Sequence, residues 1–157
     1  MEVIVSRFDE KLAIITGGAS GMGALTAEHF VNEGGEVVTL DINEEMGRSV
    51  ANNIGRSCEF FKADVTDPES WNSLERHLGD RFNKITSVIN AAGISEPATI
   101  EDETLDHWNR THAINGTSVF LGCQFAVKSM KERSGSIVNF SSSLATRPQS
   151  FVLAYNY

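Results

Sequence analysis

The chain has 157 residues, of which 41% are hydrophobic and 22% charged, a composition typical of one globular domain rather than a disordered or repetitive protein. Thirteen basic against twenty-one acidic side chains give a formal net charge of −8, which opposes binding to nucleic-acid phosphates and to anionic membranes. The N-terminal apolar stretch is too short for a membrane span or a signal peptide. We therefore expect a cytoplasmic protein that binds neither nucleic acid nor membrane.

The two cysteines and four histidines do not form a metal-binding pattern. Cys58 and Cys123 are far apart in the sequence, and no two histidines have the H-x-x-x-H spacing. We predict two reduced, buried thiols and no metal site.

Short apolar or β-branched runs alternate along the chain with longer segments of helical period. Because each right-handed crossover returns the chain over the same sheet, this alternation predicts an α/β fold: a three-layer, doubly wound parallel sheet. The last two runs are almost continuously apolar, which is typical of strands buried on both faces. The predicted strands are 12–16, 36–40, 59–63, 85–90 and 136–140, and the predicted helices are 21–33, 43–54, 68–79 and 104–131.

The last eight residues, SFVLAYNY (150–157), are apolar and contain no turn signal. Ser150 is a good N-cap, so the residues after it predict the first two turns of a helix. A parallel sheet that ended at 136–140 would expose an apolar edge of the kind that proteins usually cover. We therefore expect a single domain over 1–157 that is truncated after its fifth strand. The alternative is a small complete domain with a frayed tail.

A glycine-rich segment, TGGASGMG (16–23), joins the first predicted strand to the first predicted helix. In that context Gly17 permits a tight turn, Gly21 lets backbone N–H groups approach a pyrophosphate, and Gly23 lets the helix pack closely on the sheet. The helix N-terminus adds about half a positive charge. The segment predicts a dinucleotide site, although three glycines in a loop are also ordinary turn chemistry.

Asp41 ends the second predicted strand, eighteen residues after the last of these glycines, and Ile42 follows it. A carboxylate at this position can accept hydrogen bonds from both hydroxyls of an adenosine ribose, and it repels a 2′-phosphate. Ser20 and Met22 of the glycine loop bring no positive charge to neutralise such a phosphate. The pattern therefore favours NAD over NADP. Asp41 could also cap the helix that begins near Asn43, and the two roles are compatible.

The spacing T-G-x-x-x-G-x-G resembles that of the short-chain dehydrogenase/reductase family, and four further motifs follow in the family's order. The resemblance spans nearly the whole chain and implies a Rossmann-type fold. An Asp-Val pair is similar to the pair that holds the adenine ring, and an Asn-Ala-Ala-Gly turn is similar to the turn beside the nicotinamide ribose. The cofactor-binding residues implied by these two motifs are Asp64, Val65, Asn90, Ala91, Ala92 and Gly93.

Three more residues match the family's catalytic site. Asn115 matches the asparagine that binds a water linking the active-site lysine to solvent. Ser142 and Tyr155 are thirteen residues apart, which is the family's separation between its serine and its tyrosine. Read without the family, Asn115 would mark a helix kink, Ser142 a serine-rich loop and Tyr155 a half-buried aromatic. The register excludes Ser141, Ser143 and Tyr157.

The sequence departs from the family at one point. The family's tyrosine belongs to Y-x-x-x-K, so the lysine is expected at position 159, beyond the 157 residues. A phenol with a pKa of about 10 needs about 3–4 kcal/mol of help to act as a base near neutral pH. An ammonium about 4 Å away supplies about 4 kcal/mol at an effective dielectric constant near 20. We therefore expect the chain to stop inside the active-site helix and to be inactive by itself.

The resemblance implies an NAD-dependent oxidoreductase that transfers hydride between a nicotinamide cofactor and a secondary alcohol or ketone. Tyr155 would be its base, and Ser142 would hold the substrate oxygen. The stretch INGTSVFLGCQ (114–124) is similar to members that act on hydroxysteroids, cyclic alcohols or 3-oxoacyl groups. Family members are commonly homodimers or homotetramers. The alternative function is a non-catalytic nucleotide-binding or regulatory module.

Overall fold

The computed structural model describes residues 6–156, and five parallel strands form its single sheet. All five predicted strands are present, and their bounds differ from the predicted ones by one residue at most. The strands are β1 (Leu12–Thr16), β2 (Glu36–Asp41), β3 (Cys58–Lys62), β4 (Ile85–Asn90) and β5 (Ser136–Asn139).

The predicted helices are also present, and side-chain caps fix where several of them begin. Asn43 accepts a hydrogen bond from Met46 N at 3.1 Å, and Asp67 accepts one from Glu69 N at 3.0 Å with Pro68 next to it, as predicted for an N-cap. The helices are α1 (Gly21–Asn32), α2 (Glu44–Ile54), α3 (Pro68–Leu78), α4 (Leu105–His112) and α5 (Ser118–Ser129).

The order of the strands is β3-β2-β1-β4-β5, so the chain reverses its direction of winding between β1 and β4. Thr16, at the end of β1, is in register with Leu40 of β2 and with Asn90 of β4. The carboxyl ends of the three central strands are therefore level. In open α/β sheets, ligands bind at such a switch point, beyond the carboxyl ends of the strands.

Helices cover both faces of the sheet, as the predicted three-layer fold requires. Side chains alternate along a strand, so Ile14 faces one layer and Ile15 the other, and both are fully buried. Ile15 packs in a cluster with Phe30 of α1, whereas Ile14 belongs to a larger cluster that includes Trp71 of α3 and Phe125 of α5. No helix within residues 6–156 is long and apolar enough to cross a membrane.

The burial predicted for β5 is wrong. Ile137 is 38% exposed and Val138 48% exposed. Within the described residues β5 pairs with β4 alone, and neither buried cluster includes a residue of β5. Its apolar side chains are therefore those of an edge strand.

The helix predicted from Ser150 is also wrong. Phe151 has a φ of 69°, outside the right-handed helical region, and its carbonyl accepts a hydrogen bond from Ala98 N at 2.7 Å. Val152 forms an isolated parallel bridge with Ala98, and one 3-10 turn follows over Leu153–Tyr155. The loop that follows β4 therefore binds the backbone that a helix would need. Tyr157 lies outside the described residues.

Candidate functional site

A cleft of about 620 Å³ opens at the carboxyl ends of β1 to β4, where the sheet reverses its winding. Its volume is within the range of about 300–1,000 Å³ that is usual for small-molecule sites. Every residue predicted to bind the cofactor lines this cleft except Asn90. The lining residues predicted from the sequence are Gly17, Ser20, Gly21, Met22, Gly23, Asp41, Ile42, Asp64, Val65, Ala91, Ala92 and Gly93.

The glycine loop needs glycine for two different physical reasons. Gly17 has a φ of +70°, and a Cβ there would come within 2.9 Å of the backbone of Ala92, while a Cβ on Gly23 would overlap the carbonyl of Gly17. These two positions allow no side chain because the loop packs closely on its neighbours. Gly21 has a φ of +52° with no atom within 4 Å of its Cβ position, so a side chain there would project into open space.

Asp41 connects the glycine loop to the start of α2. Its Oδ2 accepts a hydrogen bond from Ala19 N at 3.1 Å, and its Oδ1 accepts one from Asn43 N at 3.0 Å. The helix cap itself is the side chain of Asn43, so Asp41 supports the turn before the helix instead of capping it. Each carboxylate oxygen can accept a second hydrogen bond. Asp41 therefore keeps acceptor capacity towards the cleft that it lines.

Three of the lining side chains are charged: Asp41, Asp64 and Arg110. Asp64 Oδ1 accepts hydrogen bonds from the backbone N of Thr66 at 2.9 Å and from its hydroxyl at 2.7 Å, which fixes the turn after β3. Arg110 Nη1 donates to Glu96 Oε1 at 2.9 Å. Positive charge in the cleft therefore comes from one guanidinium and from the N-terminus of α1.

Asn90 does not reach the cleft. It is 2% exposed, and its Nδ2 donates to Asn139 Oδ1 at 2.8 Å, so its side chain ties β4 to β5. The residues of the Asn-Ala-Ala-Gly turn that line the cleft are held by Thr16 of β1. Its Oγ1 accepts hydrogen bonds from Ala91 N and Ala92 N, both at 3.0 Å. Asn90 therefore supports the turn by anchoring the end of β4 to β5, outside the cleft.

Asn115 lies in a π-helical turn, Ala113–Thr117, that interrupts the long predicted helix between α4 and α5. Its Oδ1 accepts a hydrogen bond from Ile94 N and its Nδ2 donates to Ile94 O, both at 2.8 Å. The predicted irregularity in the helix is present. The amide of Asn115, however, forms its hydrogen bonds with the backbone of the loop after β4, and not with backbone groups of its own helix. Asn115 thereby fixes Ile94, which lines the cleft.

Ser142 and Tyr155 are not among the residues that line the cleft. Ser142 follows β5 at the carboxyl edge of the sheet, and its hydroxyl accepts a hydrogen bond from Leu144 N at 3.2 Å. Tyr155 ends the 3-10 turn that contacts α4. Both side chains are half-buried.

Seven lining residues carry no sequence motif. Four of them are next in sequence to a predicted cofactor-binding residue, near the end of a strand. The other three lie on one side of α4 and the π-helical turn. Their spacing of i, i+3 and i+4 is a sequence signal for a shared helix face, but it does not say what that face meets. The seven are Leu40, Ala63, Thr66, Ile94, Arg110, Ala113 and Ile114.

Comparison with known proteins gives matches along almost the whole chain. The family model described as short chain dehydrogenase matches residues 11–156. The 2,5-dichloro-2,5-cyclohexadiene-1,4-diol dehydrogenase LinX of Sphingobium indicum is 40% identical over 149 residues, covering 92% of this chain and 60% of that protein. The 3-beta-hydroxysteroid dehydrogenase of Comamonas testosteroni is 35% identical over 139 residues, covering 88% of this chain and 55% of that protein.

A solved structure agrees with the fold. The 3-ketoacyl-(acyl-carrier-protein) reductase from Brucella melitensis, complexed with NADH, superposes with a TM-score of 0.88 at 27% identity, over 94% of this chain and 63% of that one. The chain thus spans less than two thirds of the length of the relatives it matches. The family model covers nearly all of the described residues, including the glycine loop, Asp41 and the turn after β4. The chain belongs to the short-chain dehydrogenase family.

Proposed function

We propose that this chain is the cofactor-binding part of an oxidoreductase that interconverts a secondary alcohol and a ketone with NAD. The observation that carries the proposal is the cleft at the switch point of the sheet, with the glycine loop and Asp41 in its wall. When bound, the nicotinamide cofactor supplies the chemistry, since it accepts or donates the hydride.

The shape of the cleft supports a dinucleotide. Gly21 is the first residue of α1, and apart from its chain neighbours no atom lies within 4 Å of its Cβ position. Backbone N–H groups at a helix N-terminus bind anions well, so the loop is suited to a pyrophosphate. The acceptors left on Asp41 suit the two ribose hydroxyls of NAD, and its negative charge disfavours the 2′-phosphate of NADP.

Other residues of the cleft would hold the two ends of the cofactor. Asp64 and Val65 border the part of the cleft next to β3 and would hold the adenine ring. The backbone of Ala91–Gly93, fixed by Thr16, would lie beside the nicotinamide ribose. Asn115 would keep this second wall in place through its two hydrogen bonds to Ile94.

Proton transfer would fall to Tyr155, with Ser142 donating a hydrogen bond to the substrate oxygen. A tyrosine base needs a nearby cation, and position 159 is the place at which the family has its lysine. We therefore expect the 157-residue chain to bind the cofactor without turning over substrate. Turnover by a protein extended past position 159 would distinguish this function from that of a nucleotide-binding module without catalysis.

The substrate class that we propose is a cyclic or steroidal secondary alcohol, or a 3-oxoacyl group. The names of the similar proteins support this class, since they include a cyclohexadienediol dehydrogenase, a hydroxysteroid dehydrogenase and a 3-ketoacyl reductase. We also propose a homodimer or homotetramer. The exposed apolar side chains Phe120 and Val127 on α5 support self-association.

A matched pair of glycine variants tests the cofactor site. Gly21 and Gly79 have φ values of +52° and +53°, and neither has an atom within 4 Å of its Cβ position, but only Gly21 lines the cleft. Gly21→Val and Gly79→Val therefore introduce similar backbone strain, of order 1–3 kcal/mol. Titration with NADH, followed by its fluorescence, should show binding by the wild type and Gly79→Val and none by Gly21→Val. Equal binding by both variants would contradict the site.

A further inference from the structure

We propose that Arg110 binds the adenine base of the cofactor through the flat face of its guanidinium, and that Glu96 holds that guanidinium in position. This inference rests on the proposed function, because it concerns the same cleft. Arg110 belongs to no motif of the sequence.

Arg110 lines the cleft that would receive the base. Arg110, Ala113 and Ile114 form the wall of the cleft that comes from α4 and the π-helical turn. The residues after β3, 63–66, line the cleft as well. Asp41 follows β2, the neighbour of β3. A base attached to a ribose held by Asp41 would therefore extend towards 63–66, within the cleft that Arg110 also lines.

The chemistry of Arg110 suits a neutral aromatic ring at the mouth of the cleft. Its side chain is 58% exposed, and one of its five N–H donors is used by Glu96. A planar guanidinium stacks well on aromatic faces. Val65 and Ile114 add apolar surface to the lining of this cleft, which suits a base better than a phosphate. The pyrophosphate has its own donors at the start of α1.

Glu96 has a second neighbour in α4. Besides Arg110, its carboxylate lies 3.4 Å from His107 Nε2, and His107 Nδ1 lies 2.6 Å from Glu103 Oε1. Glu96 thus lies between Arg110 and His107, and His107 in turn contacts Glu103. An arginine held by such a partner loses less conformational freedom on binding a ligand. Glu96 is therefore a positioning residue for Arg110.

Binding measurements on the 157-residue chain test this role without enzymatic turnover. ADP-ribose is titrated by calorimetry, and adenosine is measured by competition against NADH. Arg110→Ala should weaken both ligands by about 3- to 30-fold, the range expected for a cation over an aromatic ring. Arg110→Lys should lose most of the same affinity, because an ammonium has no plane to stack. Arg48→Ala is the matched control, since Arg48 is an exposed helical arginine paired with Glu44.

Three results would overturn the assignment. If Arg110→Ala bound ADP-ribose and adenosine as tightly as the wild type, Arg110 would have no role in binding the base. If Arg110→Ala weakened ADP-ribose but not adenosine, and Arg110→Lys kept full affinity for both, Arg110 would contact a phosphate instead. A similar loss in Arg48→Ala would indicate a general effect of charge. Failure of the proposed function is distinguishable, because the wild-type chain would then bind neither ligand.

Glu96→Gln tests the positioning role separately. It should weaken ADP-ribose by about 2- to 5-fold, as expected for the loss of one exposed charge pair. The double variant Glu96→Gln/Arg110→Ala should bind no more weakly than Arg110→Ala alone, because the two residues act through one contact. Losses that add in full would contradict the link between Glu96 and Arg110.

Discussion

Replacing Asp41 by asparagine should change the cofactor preference of the chain. The substitution keeps the shape of the side chain and one acceptor oxygen, so one of the two hydrogen bonds to Ala19 N and Asn43 N can persist. It removes the negative charge that we assign to discrimination between NAD and NADP. The loss of one backbone hydrogen bond should reduce the free energy of unfolding by about 1 kcal/mol.

The size of the change follows from two effects of opposite sign. A hydrogen bond to a charged acceptor contributes about 1.5–3 kcal/mol, against about 0.5–1.5 kcal/mol for a neutral one, so Asp41→Asn should weaken NAD binding by about 5- to 20-fold. A 2′-phosphate of charge about −1.5 to −2, about 5 Å from a carboxylate in water, is repelled by about 1.5 kcal/mol. Removing that repulsion should strengthen NADP binding by about tenfold. The preference should therefore shift by about 50-fold or more.

The assay is a pair of fluorescence titrations with NADH and NADPH, each at low and at high salt. Asp67→Asn is the matched control, because it removes the same formal charge at the N-cap of α3 and Asp67 does not line the cleft. The control should change stability but not the ratio of the two affinities. The NADPH gain in Asp41→Asn should shrink at high salt, where the repulsion is already screened. Equal losses for both cofactors would refute the assignment of Asp41 to the ribose.

Three further outcomes are expected. Gly23→Ala should lower the free energy of unfolding by about 1–3 kcal/mol in denaturant titrations, because its Cβ would overlap the preceding turn; unchanged stability would contradict that packing. Burial raises the pKa of the Cys58 thiol, so at pH 8 iodoacetamide should modify the half-buried Cys123 first and Cys58 only on unfolding; equal rates would argue against the burial. Burial also raises the pKa of Glu59, but hydrogen bonds, first from Arg81, outweigh it and hold that pKa below its ordinary value. The contribution of Glu59 to the free energy of unfolding is therefore present above its unfolded pKa and is lost as the pH falls through its folded pKa. Glu59→Gln should lower the free energy of unfolding by up to about 1 kcal/mol at pH 7 and by much less below pH 4. The same loss at both pH values would contradict the direction of the pKa shift.

The sheet was predictable because a few consecutive residues are enough to identify each central strand. The run LAIIT is apolar at its first four positions, as a strand covered on both faces requires, and all of Leu12–Thr16 is buried. Glycine at the end of that run and the carboxylate at the end of the next strand then meet at the same edge. Parallel strands bring their carboxyl ends together, so the motif residues line one cleft without any knowledge of distant contacts.

The errors arise where a tertiary contact decides between two local outcomes. The sequence after Ser150 suits a helix, but Ala98, more than fifty residues earlier, takes the carbonyl of Phe151. Ile137 and Val138 suit a buried strand, but their burial depends on what covers the sheet edge and not on their own hydrophobicity. Asn90 shows the same limit for a single side chain. Its motif locates it at the end of β4, and its partner Asn139 turns its amide away from the cleft.

The α4 wall of the cleft could not be read from motifs at all. The helical spacing of Arg110, Ala113 and Ile114 defines one face, and this face continues from α4 into the π-helical turn that joins α4 to α5. Asn115 ties this turn to the loop after β4 by binding the backbone of Ile94, a contact across twenty-one residues. Only the folded chain shows that the face borders a cleft.

The central claim is that the cleft beyond the carboxyl ends of β1 to β4 binds a nicotinamide dinucleotide. An NMR titration of the isotopically labelled chain with NAD measures this most directly, because each backbone amide reports separately. The largest shifts should fall on 17–23, 41–42, 64–66 and 91–94, with smaller ones on α4 around Arg110. Shifts confined to other parts of the molecule, or no saturable shifts at millimolar NAD, would contradict the claim.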